Sequence, residues 1–232
     1  MNNVKHIFFD LDHTLWDFEK NSKETLNELF YELELNLQIQ SFERFIKKYR
    51  EINNRYWSLY RQNLVTKDQV RNGRFKDTLD FFKLPNSTEL SNELSHQYIS
   101  ISPTKTHLFP YTHQILSKLK QKYALHIITN GFVEVQHTKL QKSNLKQYFD
   151  VVVCSEETGK KKPHKDVFNL ALKNANAKPE TSAMIGDNLE ADVLGAKRVG
   201  IKPIWFNPEN KKTKKDVIQI KHLNQLENIF NL

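Results

Sequence analysis

The chain has 232 residues, 38% hydrophobic and 27% charged, with 15 Phe, 8 Tyr and 3 Trp, a content that excludes a disordered chain and supports one large or two small domains. With 35 Lys and Arg against 27 Asp and Glu the net charge is +8, which allows nucleic acid, acidic lipid or small anions as partners and selects none. No apolar run reaches the roughly 18 residues a bilayer requires, the first residues, Met-Asn-Asn-Val-Lys-His, lack the basic stretch and apolar segment expected of a secretory signal, and a lone cysteine, Cys154, excludes an internal disulfide and a thiolate zinc scaffold; a cytoplasmic protein is expected.

The first apolar run, residues 4–9 (Val-Lys-His-Ile-Phe-Phe), stops abruptly at Asp10-Leu11-Asp12, as a buried parallel strand does when it emerges at a site. Residues 21–101 then change to helical periods, with Leu26, Leu29, Phe30 and Leu33 followed by Phe42, Phe45, Ile46, Tyr49, Ile52, Tyr56 and Trp57. Asn21 followed by Glu24 has the spacing of a capping box. After Phe109-Pro110 short apolar strands return, expected at 124–128, 151–154, 183–185 and 203–206, with a possible edge strand at 216–220. Helices are expected around Ile115 to Leu119, at 167–172 and at 189–198. Alternation of this kind builds a parallel sheet. The helical block therefore reads as an insertion into an α/β domain, because one strand ahead of it cannot form a sheet alone. The lysines, including the knots Lys160 to Lys162 and Lys211, Lys212, Lys214 and Lys215, read as a solvated basic face; no RNP-type aromatic box or zinc finger accompanies them.

Three polar clusters directly follow expected strands: Asp10-Leu11-Asp12-His13-Thr14, Thr129-Asn130-Gly131, and Gly186-Asp187 through Asp192. Lys162-Pro163 precedes a later helix. Ligands of open α/β sheets bind outside the carboxyl ends of strands, so these clusters are placed to share one site. Three carboxylates there repel and raise one another's pKa unless a hard cation or a cationic side chain holds them ionised, and an oxygen-only set suits Mg²⁺. Each cluster alone has a plain structural reading as a strand end, a helix cap or a solvated lysine. Cys154 reads as a small buried hydrophobe, and no pair of histidines four apart offers a metal site.

Taken in order and spacing, Asp10-Leu11-Asp12-His13-Thr14-Leu15, Thr129-Asn130-Gly131, Lys162-Pro163 and Gly186-Asp187 through Asp192 resemble the four motifs of the haloacid dehalogenase-like hydrolase superfamily. That resemblance implies a Rossmann-like α/β core over 1–15 and 106–232, with an all-helical cap over 16–105. It implies Asp10 as nucleophile and Asp12 as general acid and base. It implies Mg²⁺ as cofactor, held by Asp10, the Asp12 carbonyl and Asp187 with Asp192 behind them. Thr129, Asn130 and Gly131 would bind phosphoryl oxygens, with Lys162 balancing charge. The variable position of His13 implies no ligand role. An acid at Asp12 favours a phosphatase over a dehalogenase, because halide leaves without a proton and an alkoxide does not.

The stretch from Asp10 to Ser22, with Ser155-Glu156-Glu157 ahead of Gly159 and Lys162, resembles the branch of pyrimidine-preferring nucleoside 5'-monophosphate phosphatases. Trp16, Phe18, Tyr56, Trp57, Arg71 and Arg74 are the candidates to stack on a base or meet an anion, against the alternative that aromatics at helical spacing are core. The implied partner is a small phosphorylated metabolite, a nucleotide in that branch, with no membrane and no nucleic acid, and the chain is expected as a monomer or small homo-oligomer. Two alternatives stay open: a phosphatase of a sugar phosphate or other small ester, and a non-catalytic basic protein that binds nucleic acid.

Overall fold

In the computed structural model, residues 1, 3–213 and 215–232 are described, so Lys214 of the basic knot lies outside the described residues. The apolar run at 4–9 forms a strand over its last four residues, β1 (His6–Phe9). β2 (Ala124–Thr129), β3 (Val151–Cys154), β4 (Ser182–Gly186), β5 (Lys202–Phe206) and the short β6 (Ile218–Ile220) complete a sheet ordered β3-β2-β1-β4-β5-β6. All its pairings are parallel, and Phe9 lies in register with both Ile127 and Ile185. β1 is therefore flanked by β2 and β4, the place where strand order reverses and a crevice opens at the carboxyl ends.

Side chains alternate across the strands with period two. Ile7, Phe9, Ile127, Ile185 and Ile204 face one layer with Leu116 and Leu119 of α5 (Thr112–Lys120). Phe8, Ile128, Val153 and Met184 face the other with Val167, Phe168 and Ala171 of α7, whose range is Lys165–Asn174. Between β2 and β3 runs α6 (Val133–Lys142), a helix that apolar periodicity does not announce. The segment expected as one helix at 189–198 is a wide π-type turn, Leu189–Leu194, continued by α8 (Gly195–Arg198), and α9 (Leu226–Phe230) closes the chain.

The chain divides into two compact units, 1–18 with 106–232, and 19–105. The division falls after Phe18, three residues later than the expected boundary at 15. It follows the local bonding: Trp16 bridges antiparallel to Leu108, the Asp17 amide donates to the His107 carbonyl at 3.0 Å and the Phe109 amide to the Leu15 carbonyl at 3.0 Å.

The second unit is helical. It comprises most of α1 (Phe18–Glu32), then α2 (Phe42–Arg61), a π-type turn at Gln69–Gly73, α3 (Arg74–Phe81) and α4 (Ser87–Ile101). Its own core holds Leu26, Phe30, Phe45, Tyr49, Phe75, Leu94 and Tyr98. Asn21 is not the cap that its spacing to Glu24 predicts. α1 starts at Phe18, immediately after Asp17, an equally good capping type, so Asn21 lies buried inside the helix. No described helix is long and apolar enough to cross a membrane.

Candidate active site

Asp10 is the first residue past β1, and its amide donates to the Ile185 carbonyl at 2.9 Å, which carries the ladder to β4 one step beyond the strand. The residue is 7% exposed. Burying that charge needs a partner, and Lys162 provides it: the Lys162 Nζ donates to Asp10 Oδ1 at 2.6 Å and lies 2.7 Å from Asp192 Oδ1. A third bond runs from the same ammonium to the Ile128 carbonyl at 2.6 Å, so all its protons are used within the protein.

Asp187 joins this group from the end of β4. Carboxylate oxygens of Asp10, Asp187 and Asp192 all lie within 4.8 Å of one another. The Thr14 hydroxyl lies 3.5 Å from Asp10 Oδ2 and 3.4 Å from Asp187 Oδ1, and accepts the Asp187 amide at 3.1 Å. Burial, and then the charges of Asp192 and Asp187, push the Asp10 carboxyl well above the ordinary carboxylate range against the pull of Lys162. Burial and then Asp192 push Asp187 up to about 7. Lys162 is drawn down by burial, but Asp10 and Asp192 more than reverse this, so it stays charged.

With all three carboxylates ionised, the one ammonium leaves two negative charges without an answer, which is the charge of one divalent ion. The donors are all hard oxygens, as Mg²⁺ requires. The lone pairs left free are those of Asp10 Oδ2 and Asp187. By contrast, Asp192 gives one oxygen to Lys162 and accepts the Asn188 amide on the other at 3.0 Å. Asp192 therefore belongs behind the other two, holding the lysine. Gly186 makes this possible, because a Cβ there would stand 2.4 Å from the Asp192 carboxyl carbon.

The remaining expected residues divide. Thr129 is buried at the end of β2, and its hydroxyl oxygen accepts the Gly131 amide at 3.0 Å. The Asn130 side chain is committed to the lysine loop: its carbonyl accepts the Lys162 amide at 2.8 Å and its amide donates to the Lys162 carbonyl at 3.1 Å. The Asp12 carboxylate turns toward α6 and is not among the converging carboxylates. Among the stacking candidates, Trp16 is fully buried in the first unit's core. Arg74 is 3% exposed inside the helical unit, where its guanidinium bonds Asn53 at 2.9 Å and lies over Phe75 and Tyr98. The Tyr56 hydroxyl donates to Asp77. Phe18, Trp57 and Arg71 are partly exposed. Cys154 is buried, its thiol pushed up to about 12 by burial and then by Glu157, which fits the reading as a hydrophobe.

Sequence reasoning missed three residues. Gln136 and Lys139, both on α6, bind the two oxygens of Asp12, at 3.0 and 2.6 Å. The Trp205 indole on β5 donates to the Asp187 carbonyl at 2.8 Å and so fixes the loop carrying that carboxylate. A polar pair three apart on a helix directly after Thr129-Asn130-Gly131 was the available signal for the first two; Trp205 reads only as an apolar strand residue.

The chain is similar throughout its length to known proteins. It is 28% identical to the pyrimidine 5'-nucleotidase YjjG of Escherichia coli over 97% of this chain and 96% of that protein. It is 28% identical to the HAD-hydrolase YfnB of Bacillus subtilis, over the whole of this chain and 96% of that one. The magnesium-bound crystal structure of YfnB superimposes with a TM-score of 0.90, covering 99% of this chain and all of that one. A glyceraldehyde 3-phosphate phosphatase of Methanothermobacter thermautotrophicus is 30% identical over 93% of this chain and 91% of its own length. The family profile described as haloacid dehalogenase-like hydrolase matches residues 7–206, and with the acidic group at the carboxyl ends of β1 and β4 this identifies the chain as a member of the haloacid dehalogenase-like hydrolase family.

Proposed function

We propose that the protein is a Mg²⁺-dependent phosphomonoester hydrolase that works through an aspartyl-phosphate on Asp10, with a nucleoside 5'-monophosphate, preferentially a pyrimidine one, as substrate. The observation that carries this reading is the charge imbalance at the strand ends: Asp10, Asp187 and Asp192 converge on the single ammonium of Lys162. The Asp10 carboxylate supplies the attacking oxygen; Lys162 holds its Oδ1 at 2.6 Å, and Oδ2 has a long 3.5 Å contact to Thr14. Asp10, Asp187 and the Asp12 backbone carbonyl would hold Mg²⁺, which supplies neutralisation of the charge on nucleophile and phosphate as they approach. Lys162 pulls Asp10 toward its ionised form, which the bound ion would complete, and offsets negative charge on the phosphoryl group, while the Thr129 hydroxyl, its oxygen already accepting the Gly131 amide, would give its own proton to a phosphoryl oxygen.

In the first step a bond forms from Asp10 to phosphorus, the ester P–O bond breaks, and the Asp12 carboxyl gives its proton to the departing alkoxide. In the second, water attacks the aspartyl-phosphate, Asp12 recovers a proton from it, and phosphate leaves with Asp10 restored. The nucleotide assignment rests on the similarity to YjjG over nearly the whole of both chains. A second reading, a small sugar phosphate, is favoured by the comparable similarity to the glyceraldehyde 3-phosphate phosphatase. The helical unit at 19–105 would act as the cap that sets the choice.

Both readings are tested by phosphate release from dTMP, UMP, dUMP, a purine nucleotide and glyceraldehyde 3-phosphate, with Mg²⁺ and with EDTA. Release that requires Mg²⁺ and is fastest for the pyrimidine nucleotides is expected. No release from any ester overturns the phosphatase assignment, and equal rates overturn the nucleotide preference alone. Asp10→Asn removes the nucleophile, and turnover should fall at least about 10⁴-fold with an unchanged circular dichroism spectrum.

A further inference from the structure

The Asp12 carboxylate is held by a device of its own. α6 starts two residues after Gly131, and Gln136 and Lys139, three apart, project from one face of it. They are 1% and 5% exposed. The Gln136 side-chain amide donates to Asp12 Oδ2 at 3.0 Å and the Lys139 ammonium to Oδ1 at 2.6 Å, so each carboxylate oxygen has one fixed donor. The ammonium also lies 4.3 Å from the centre of the Trp16 ring and 5.9 Å from that of Phe18. Trp16 is fully buried, so it forms a rigid plate against which the lysine is set.

A buried ammonium is a poor choice if packing were the aim, since an apolar side chain of similar volume costs less to bury. Lys139 has one carboxylate partner among the described residues, and that partner is Asp12. Gly131 belongs to the same device: a Cβ at this position would stand 1.7 Å from the Gln136 amide nitrogen, so any larger residue pushes Gln136 off Asp12.

We propose that Lys139, seconded by Gln136 and by the space Gly131 leaves for it, is the positioning residue that fixes the Asp12 carboxylate for both of its proton transfers. This rests on the phosphatase reading above. Lys139 and Gln136 act through Asp12, and their removal affects only the steps in which Asp12 moves a proton. An alkoxide leaving group needs that proton in the first step. p-Nitrophenolate departs without one, so for p-nitrophenyl phosphate only the second step, attack of water, depends on Asp12.

The test compares wild type with Lys139→Met on dUMP and on p-nitrophenyl phosphate, both in saturating Mg²⁺. For the variant, kcat/KM on dUMP should fall about 10²-fold while kcat/KM on p-nitrophenyl phosphate changes less than about threefold. Stopped-flow mixing of the variant with p-nitrophenyl phosphate should give a burst of one equivalent of p-nitrophenolate followed by slow turnover, as the aspartyl-phosphate accumulates. Equal losses in kcat/KM on both esters with no burst overturn the assignment and leave Lys139 as a phosphate-binding or packing residue. Should Lys139→Met fail to fold, Gln136→Met reads the same split at about tenfold, and its absence there overturns the proposal equally. A wild type that hydrolyses neither ester overturns the phosphatase reading and this inference with it, whereas an active wild type with an even loss in the variant overturns the inference alone.

Discussion

Lys162 in the α/β unit and Arg74 in the helical unit are both nearly sealed from water, at 1% and 3% exposure, and their surroundings differ in kind. Lys162 is enclosed by the carboxylates of Asp10 and Asp192. Arg74 meets no carboxylate within ion-pair distance among the described residues; it has the Asn53 amide oxygen and the faces of Phe75, Tyr98 and Tyr49. In the first unit the cation is part of an arrangement with more negative charge than it can answer, which makes sense only with something further to bind. In the second the cation meets neutral groups alone, with its Nε lacking a hydrogen-bond partner among the described residues, and it ties α2, α3 and α4 together. Burial of a charge does not by itself mark a site; the convergence of several like charges at the strand ends does.

Lys162→Met should break the first arrangement most severely. Removing one partner of a buried ion pair costs roughly 3–5 kcal/mol, and turnover should fall at least about 10³-fold. The deficit in stability should also depend on pH. Asp10 and Asp187 have raised values in the folded protein, so the native state binds more protons than the unfolded chain and stability falls as pH rises from about 4 through 7. Without the ammonium this fall should steepen, as denaturant titrations in EDTA at pH 5 and pH 8 would show; equal deficits at both would count against the charge argument.

Arg74→Met should cost about 3 kcal/mol, from the orphaned Asn53 carbonyl and lost ring contacts. Its deficit should be the same at pH 5 and pH 8, since no titrating partner is released, and a pH-dependent loss would erase the distinction between the two units.

The smallest effect is expected far from either cation. His6 Nδ1 and His126 Nε2 lie 3.1 Å apart on neighbouring strands, and burial, then His6, lowers His126 to about 4; Asp150 pulls the other way and Lys120 adds to the lowering. The native state thus binds fewer protons than the unfolded chain between about 4 and 6.5, and stability is lost as pH falls through that window. The effect is about 2 kcal/mol at pH 5. His126→Leu should remove it, measured as the difference between variant and wild type at pH 7 and pH 5 so that the opposing carboxylates cancel.

The sheet was readable because its strands are buried on both faces and spell themselves as apolar runs: residues 151–154 coincide with β3, and the other main strands differ by one or two residues. The four clusters were readable because each follows such a run. α6 was not, and for a physical reason. Its buried residues are Gln136, Lys139 and Leu140, so the inward face that normally carries the helical period is mostly polar. A helix whose inner face serves a carboxylate instead of the core is invisible to hydrophobic periodicity, and the Asp12 clamp was hidden with it. Asn21 illustrates the converse, a local signal of the right form overruled by an equally good capping type at Asp17 one turn earlier.

The pairing of Leu15 to Asp17 with His107 to Phe109 draws together the two points at which the helical block departs and returns. The sheet and its two apolar layers are complete without that block, whose own interior is separate. A short turn laid across the two ends would restore a continuous chain, and a different insert could be spliced at the same seam. The fold is thereby modular: the acidic group at the strand ends can stay in one piece of the architecture while the helical unit is exchanged.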